Sequence, residues 1–179
     1  IRDGRIVAVG TTADILRDYT APQQIDATGK AVCPGFVDCH THTVFAGDRI
    51  GEFEQRLRGV PYLEILAAGG GILSTVRATR AAGEDELTAL ALERLNTMLR
   101  LGTTTVEIKT GYGLDMATEL KMLRVIARLA ATHPADLVPT FLGAHAVPPE
   151  YKGRTGEYAE LVASEMLPLA AEWYAGSAF

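Results

Sequence analysis

The chain has 179 residues, 47% of them apolar and 22% charged, and its 17 Lys and Arg against 22 Asp and Glu leave a formal charge of -5. This composition fits a folded globular protein and excludes disordered, collagen-like and coiled-coil classes. No run approaches the roughly 18 consecutive apolar residues that a spanning helix needs, and an acidic chain with singly scattered basic residues offers no face for nucleic acid.

Residues 1–10 lack the charged-then-apolar layout of a signal peptide, so a cytoplasmic location is expected, with neither membrane nor nucleic acid as partner. Residues 1–33 read as short β elements. An apolar run over 5–10 ends at Gly10, and a candidate hairpin surrounds Asp26-Ala27-Thr28-Gly29-Lys30, where Gly29 supplies the positive φ of a tight turn. One helical turn fits residues 13–16. The pattern is that of part of a small β-domain.

After Pro34-Gly35 the pattern changes to strand alternating with helix. Residues 36–44 are apolar and β-branched. Residues 84–101 form an amphipathic helix: Glu84, Asp85 and Glu86 complement its N-terminal dipole, Leu87, Leu90, Ala91, Leu95, Met98 and Leu99 recur at three-and-four spacing, and Gly102 stops it. A β-branched strand is predicted over 103–109. Asp115 caps a second helix carrying Leu120, Leu123, Ile126 and Leu129, which ends at His133-Pro134. A strand over 137–143 and a helix over 157–172 follow. The alternation predicts an α/β fold with a parallel sheet and crossover helices across 34–179. Cys33 and Cys39 lie six residues apart in one predicted strand. At strand rise that is about 20 Å, beyond disulfide reach, so free thiols are expected.

The sharpest local feature is Pro34-Gly35-Phe36-Val37-Asp38-Cys39-His40-Thr41-His42. Strand alternation puts Asp38, His40 and His42 on one face and Cys39 and Thr41 on the other. Two imidazoles on one face at a strand's C-terminal end can close on one cation; two ordinary polar histidines would give the same letters. His145 follows the strand over 137–143, at the edge where parallel α/β proteins build their sites. His133, at a helix end, is expected to play a structural part as an imidazolium against the dipole. Arg49 on residue type alone reads as a solvated surface arginine, although a loop arginine has the fork to hold a carboxylate. Tyr112 stands between two glycines just past a strand, where it can meet a ligand. Gly69-Gly70-Gly71 lacks the Lys-Ser/Thr of a phosphate loop and reads as a mobile loop. Glu107 and Lys109 share one strand face and are expected to line a barrel interior as an ion pair, a modified metal-bridging Lys109 being the alternative.

The segment Pro34 to His42 resembles the amidohydrolase superfamily, whose members are metal-dependent hydrolases on a (β/α)8 TIM-type barrel with a small β-sandwich attached. Thr43-Val44-Phe45-Ala46-Gly47-Asp48-Arg49, Ala68-Gly69-Gly70-Gly71-Ile72, Glu107-Ile108-Lys109-Thr110-Gly111-Tyr112-Gly113-Leu114 and Thr140-Phe141-Leu142-Gly143-Ala144-His145 narrow the likeness. They are similar to the branch that opens the cyclic amide of 4-imidazolone-5-propanoate to N-formimidoyl-L-glutamate in histidine degradation. The resemblance implies that His40 and His42 bind one zinc or iron ion and that Arg49, Tyr112 and His145 contact the substrate. It further implies that Arg49 grips the propionate carboxylate, with Tyr62 close by. It leaves homodimer formation by a full-length protein open.

The same resemblance implies ligands and an acid/base residue from later strands, beyond Phe179, so no catalytic residue is assigned within the chain. Residues 35–179 also fall short of the roughly 250 that a (β/α)8 barrel takes, and the chain opens at Ile1 inside a strand-like pattern. Residues 172–179 depart from the family pattern. The expectation is therefore a truncated chain: part of a β-sandwich over 1–33 and the first half of the barrel over 34–179. Another ring amidohydrolase, a deaminase or an inactive half-barrel are the competing readings.

Overall fold

A computed structural model describes residues 1–177; Ala178 and Phe179, the end of the segment expected to depart from the family pattern, lie outside the described residues. The chain divides into two compact units, Ile1–Pro34 and Gly35–Phe179.

In the first unit the only regular element among the described residues is helix α1, Thr12–Asp18, which Thr11 starts by accepting the Asp14 N–H on its hydroxyl at 3.2 Å. The turn expected at Gly29 is present, with φ +73° there and the Asp26 carboxylate accepting the Thr28 N–H at 2.9 Å. The flanking strands do not form, and one isolated bridge, Arg2 to Arg5, is all the β pairing present among the described residues of this unit. Strand residues gain stability from cross-strand neighbours and a buried face. Here Ile6, Val9, Ile25 and Val32 are all exposed, so nothing within the unit rewards pairing.

The second unit is built on a sheet of three parallel strands in the order β1-β2-β3: β1 Phe36–Thr41, β2 Thr103–Lys109 and β3 Asp136–Thr140. β1 opens at Gly35, where a Cβ would meet the Thr104 hydroxyl at 2.1 Å, so only glycine lets the strands approach there. The register of β1 on β2 slips between Asp38 and Thr41. Cys33 and Cys39 are free and exposed.

Between β1 and β2 run α2 Ile50–Leu57, α3 Tyr62–Ala67, α4 Ile72–Ala81 and α5 Glu84–Arg100. The glycine triplet joins α3 to α4 and is packed: Gly71 is buried, and its N–H is bonded to Glu52 at 2.9 Å. α5 buries Leu87, Ala91 and Leu95, and α6, Met116–Ala130, buries Met122, Leu123, Ile126 and Leu129. Both stripes close on Val106, Ile108 and Leu137 of the sheet to make the main core. Asp115 caps α6 as expected, accepting the Thr118 N–H at 2.8 Å.

Past α6, His133 corrects the expectation of an imidazolium: it is buried, its Nδ1 accepts the Ala135 N–H at 3.1 Å, and burial pushes its pKa down. A neutral ring therefore packs at this helix end. After β3 the expected single helix is α7, Thr155–Leu161, a π turn over Val162–Met166, and α8, Leu167–Gly176. Pro168 has no N–H to bond the preceding turn and its ring crowds the carbonyl there, so the backbone widens just before it. Among the described residues no helix is long and apolar enough to cross a membrane.

Candidate functional site

Parallel strands present their C-terminal ends at one edge, and three consecutive strand ends of this sheet carry His40 and His42, Tyr112, and His145. The His42 ring lies 6.0 Å from His40, 4.8 Å from Tyr112 and 4.7 Å from His145, centroid to centroid, and Tyr112 is 5.8 Å from His145. The four rings predicted from separate motifs are thus one cluster. His42 is the inner member. Burial, then the positive charges that His145 and His40 would carry, push its pKa down to about 4, so at neutral pH its ring keeps its lone pair.

Tight loops hold the cluster. Gly111 has φ +103°, and a Cβ there would sit 2.8 Å from the His145 Cβ, so glycine is what lets the β2 and β3 loops touch. The Leu142 N–H donates to the Thr110 hydroxyl at 2.9 Å, and the buried Tyr158 hydroxyl donates to the Gly143 carbonyl at 2.6 Å. Arg94 stacks over Phe45 at 3.6 Å and donates to the carbonyls of Thr43 and Phe45 at 2.9 and 2.7 Å. It thereby fixes the segment that leaves His42, with Phe45 itself 6.0 Å from Tyr112.

Arg49 does not stand alone in solvent. Its Nε and Nη2 both reach the Glu52 carboxylate at 2.7 Å, and Tyr62 adds a hydrogen bond that helps raise its pKa. Its charge is felt at Tyr112, where it opposes the upward push of burial on the phenol. Tyr62 lies beside the guanidinium. On β2, Glu107 and Lys109 form the expected ion pair, and Thr140 and the Thr41 N–H also bond to Glu107.

Sequence inspection missed Arg94, Glu52, Tyr158 and Glu119. Arg94 had a readable signal, because it falls on the apolar stripe of α5 between Ala91 and Leu95, where a charged residue needs a buried reason. The others pair mostly with backbone groups and leave no such mark.

His40 and His42 fit a share of one cation site. His42 Nδ1 is buried with no hydrogen-bond partner, and nitrogen donors within about 2.1 Å of an ion are compatible with rings 6.0 Å apart. Among the described residues no group of three or more His, Cys, Asp or Glu is arranged to hold a metal, so the pair would be part of a larger ligand set.

The class these features define is an α/β protein with a histidine-rich site at the carboxyl edge of a parallel sheet, the position at which α/β proteins bind small ligands. Along its whole length the chain is similar to proteins named imidazolonepropionase. It is 60% identical over 179 residues to the imidazolonepropionase of Chloroflexus aggregans, covering 100% of this chain and 42% of that protein. The Herpetosiphon aurantiacus protein of the same name is 56% identical over 174 residues, with 97% and 40% covered. That of Symbiobacterium thermophilum is 58% identical over 173 residues, with 95% and 41% covered. The chain spans about two-fifths of the length of the curated relatives it matches. No protein-family model matches it.

Proposed function

We propose that the protein carrying this chain is an imidazolonepropionase. It hydrolyses the cyclic amide of 4-imidazolone-5-propanoate to N-formimidoyl-L-glutamate, in the cytoplasm, and residues 34–179 are the first half of its (β/α)8 barrel. Three strands that are all parallel and lie in sequence order, separated by helices, support the barrel. The relatives' greater length leaves room for its remainder. Residues 1–33, with apolar side chains that lack a partner surface in their own unit, contribute to a β-sandwich.

The single observation that carries this function is the cluster of His42, Tyr112 and His145 at the sheet's carboxyl edge. The substrate is a flat polar ring bearing a carboxylate. Arg49 supplies charge for the carboxylate, with Glu52 and Tyr62 fixing its fork. Tyr112 and His145 offer ring faces and hydrogen-bonding tips for the imidazolone. His40 and His42 would hold a zinc or iron ion. Such an ion, when bound, polarises the ring carbonyl and lowers the pKa of a water. Tyr112 and His145, 4.8 and 4.7 Å from the His42 ring, shield it from bulk water.

Arg49 separates this reading from a deaminase or another ring amidohydrolase, because a neutral ring gives a guanidinium nothing to bind. Arg49→Ala in the full-length protein is expected to raise KM for 4-imidazolone-5-propanoate by on the order of a hundredfold, the weight of a lost charge-assisted pair of about 3 kcal/mol. Unchanged kinetics would sink the substrate assignment. The observation that favours an inert half-barrel is the lack of a third metal donor beside His40 and His42 among the described residues. Metal analysis of the full-length protein decides it: one tightly held zinc or iron, lost in His42→Ala, is the expected result.

A further inference from the structure

Glu119 is a carboxylate with no accessible surface, in the first turn of α6, and the chemistry above makes no use of it. Its partners are three backbone donors. Oε2 accepts the Gly111 N–H at 2.9 Å, and Oε1 accepts the Gly113 and Leu114 N–H groups at 2.9 and 2.8 Å. These donors bracket Tyr112 on both sides. The loop they define is one a peptide would not choose: Gly111 has φ +103°, and Leu114, a large buried residue, has φ +55°. Conformations of this kind persist where surrounding bonds over-determine them, and they gather at functional sites. Arg80 also donates to the Gly113 carbonyl at 2.7 Å and pairs with Asp115 at 2.8 Å, so two charged side chains hold the loop.

We propose that Glu119 is the positioning residue for Tyr112. Its two oxygens hold residues 111–114 so that the tyrosine ring is set against His42 before substrate arrives. The proposal rests on Tyr112 being a substrate contact. A carboxylate is needed, because two acceptor oxygens serve three N–H groups, whereas an amide has one acceptor oxygen and would turn its NH2 toward a donor.

The test is a double-mutant cycle in the full-length enzyme, with KM and kcat measured for 4-imidazolone-5-propanoate in wild type, Glu119→Gln, Tyr112→Ala and the double variant. Glu119→Gln is expected to raise KM about tenfold with kcat changed less than about threefold, and to add less than about twofold on the Tyr112→Ala background. Multiplying effects would overturn the proposal while leaving the Tyr112 contact standing, since Glu119 would then act on the fold at large. Unchanged KM in Tyr112→Ala would overturn the substrate role of Tyr112, and this proposal with it. If Glu119→Gln does not fold, amide exchange in the wild-type enzyme decides: slow exchange at Gly111, Gly113 and Leu114 is expected, and exchange at the rate of an open loop overturns the proposal.

Discussion

Replacing Gly111 by alanine attacks the site where its two loops meet, and the structure supplies each part of the cost. A Cβ at this position would lie 2.8 Å from the His145 Cβ, 2.9 Å from the Leu142 carbonyl and 3.2 Å from the His145 Cγ. None of these is the far end of a flexible side chain, so the His145 backbone itself has to move. Overpacking of this kind costs about 1–3 kcal/mol. The backbone adds its own part, because an L-residue held at φ +103° pays about 1–3 kcal/mol. Together these come to about 2–6 kcal/mol, a large share of the 5–15 kcal/mol by which a domain is commonly stable. Two further glycines separate the contributions. Gly153 has φ +78° and nothing within 4 Å of the place a Cβ would take, whereas Gly113 has no positive φ but would set a Cβ 2.7 Å from the Glu119 amide nitrogen. Urea denaturation followed by tryptophan fluorescence, with the free-energy change taken from the midpoint shift at constant slope, should therefore show Gly111→Ala as the worst of the three, with Gly153→Ala and Gly113→Ala each losing about 1–3 kcal/mol. A Gly111→Ala loss no larger than that of Gly153→Ala would refute the close packing of the Tyr112 and His145 loops.

Tyr158→Phe removes the 2.6 Å bond to the buried Gly143 carbonyl, so a loss of about 1–3 kcal/mol is expected in the same assay; a neutral result would mean that water reaches that carbonyl. His133 gives a pH dependence with a definite sign. Burial lowers its pKa from the ordinary 6.5, so unfolding takes up a proton below that value. Its contribution to stability is full above about pH 6.5 and is lost as pH falls toward the folded-state pKa. His133→Asn, whose side-chain oxygen can replace Nδ1 as acceptor for the Ala135 N–H, should flatten the stability curve between about pH 7 and 5 relative to wild type. An unchanged slope would mean that the ring takes up its proton at the same pH in the folded protein as in the unfolded chain.

What was legible in the letters, and what was not, follows from where each residue finds its partner. α5 and α6 bury stripes of Leu, Ile and Met against strands of the same unit, so side-chain periodicity alone places them. His40, His42, Tyr112 and His145 come together because parallel strands deliver their C-terminal ends to one edge, and a motif just past a strand is carried there whatever the intervening helices do. The strands expected over 1–33 fail the same criterion, since their apolar faces have no surface to pack on within Ile1–Pro34. Glu119 fails it in another way. Read as a letter it is one more acid in a helix's first turn, an ordinary dipole partner, and its real partners are backbone N–H groups that every residue but proline carries. Arg49 shows the two cases side by side. Its fork and its place after the histidine pair were visible in the sequence, but its setting depends on Glu52, whose second oxygen holds the Gly71 N–H across a chain separation no periodicity marks. Arg49 is thus oriented by the same anion that ties down the glycine triplet, so that how firmly the triplet is held and how the guanidinium is aimed are set by one side chain.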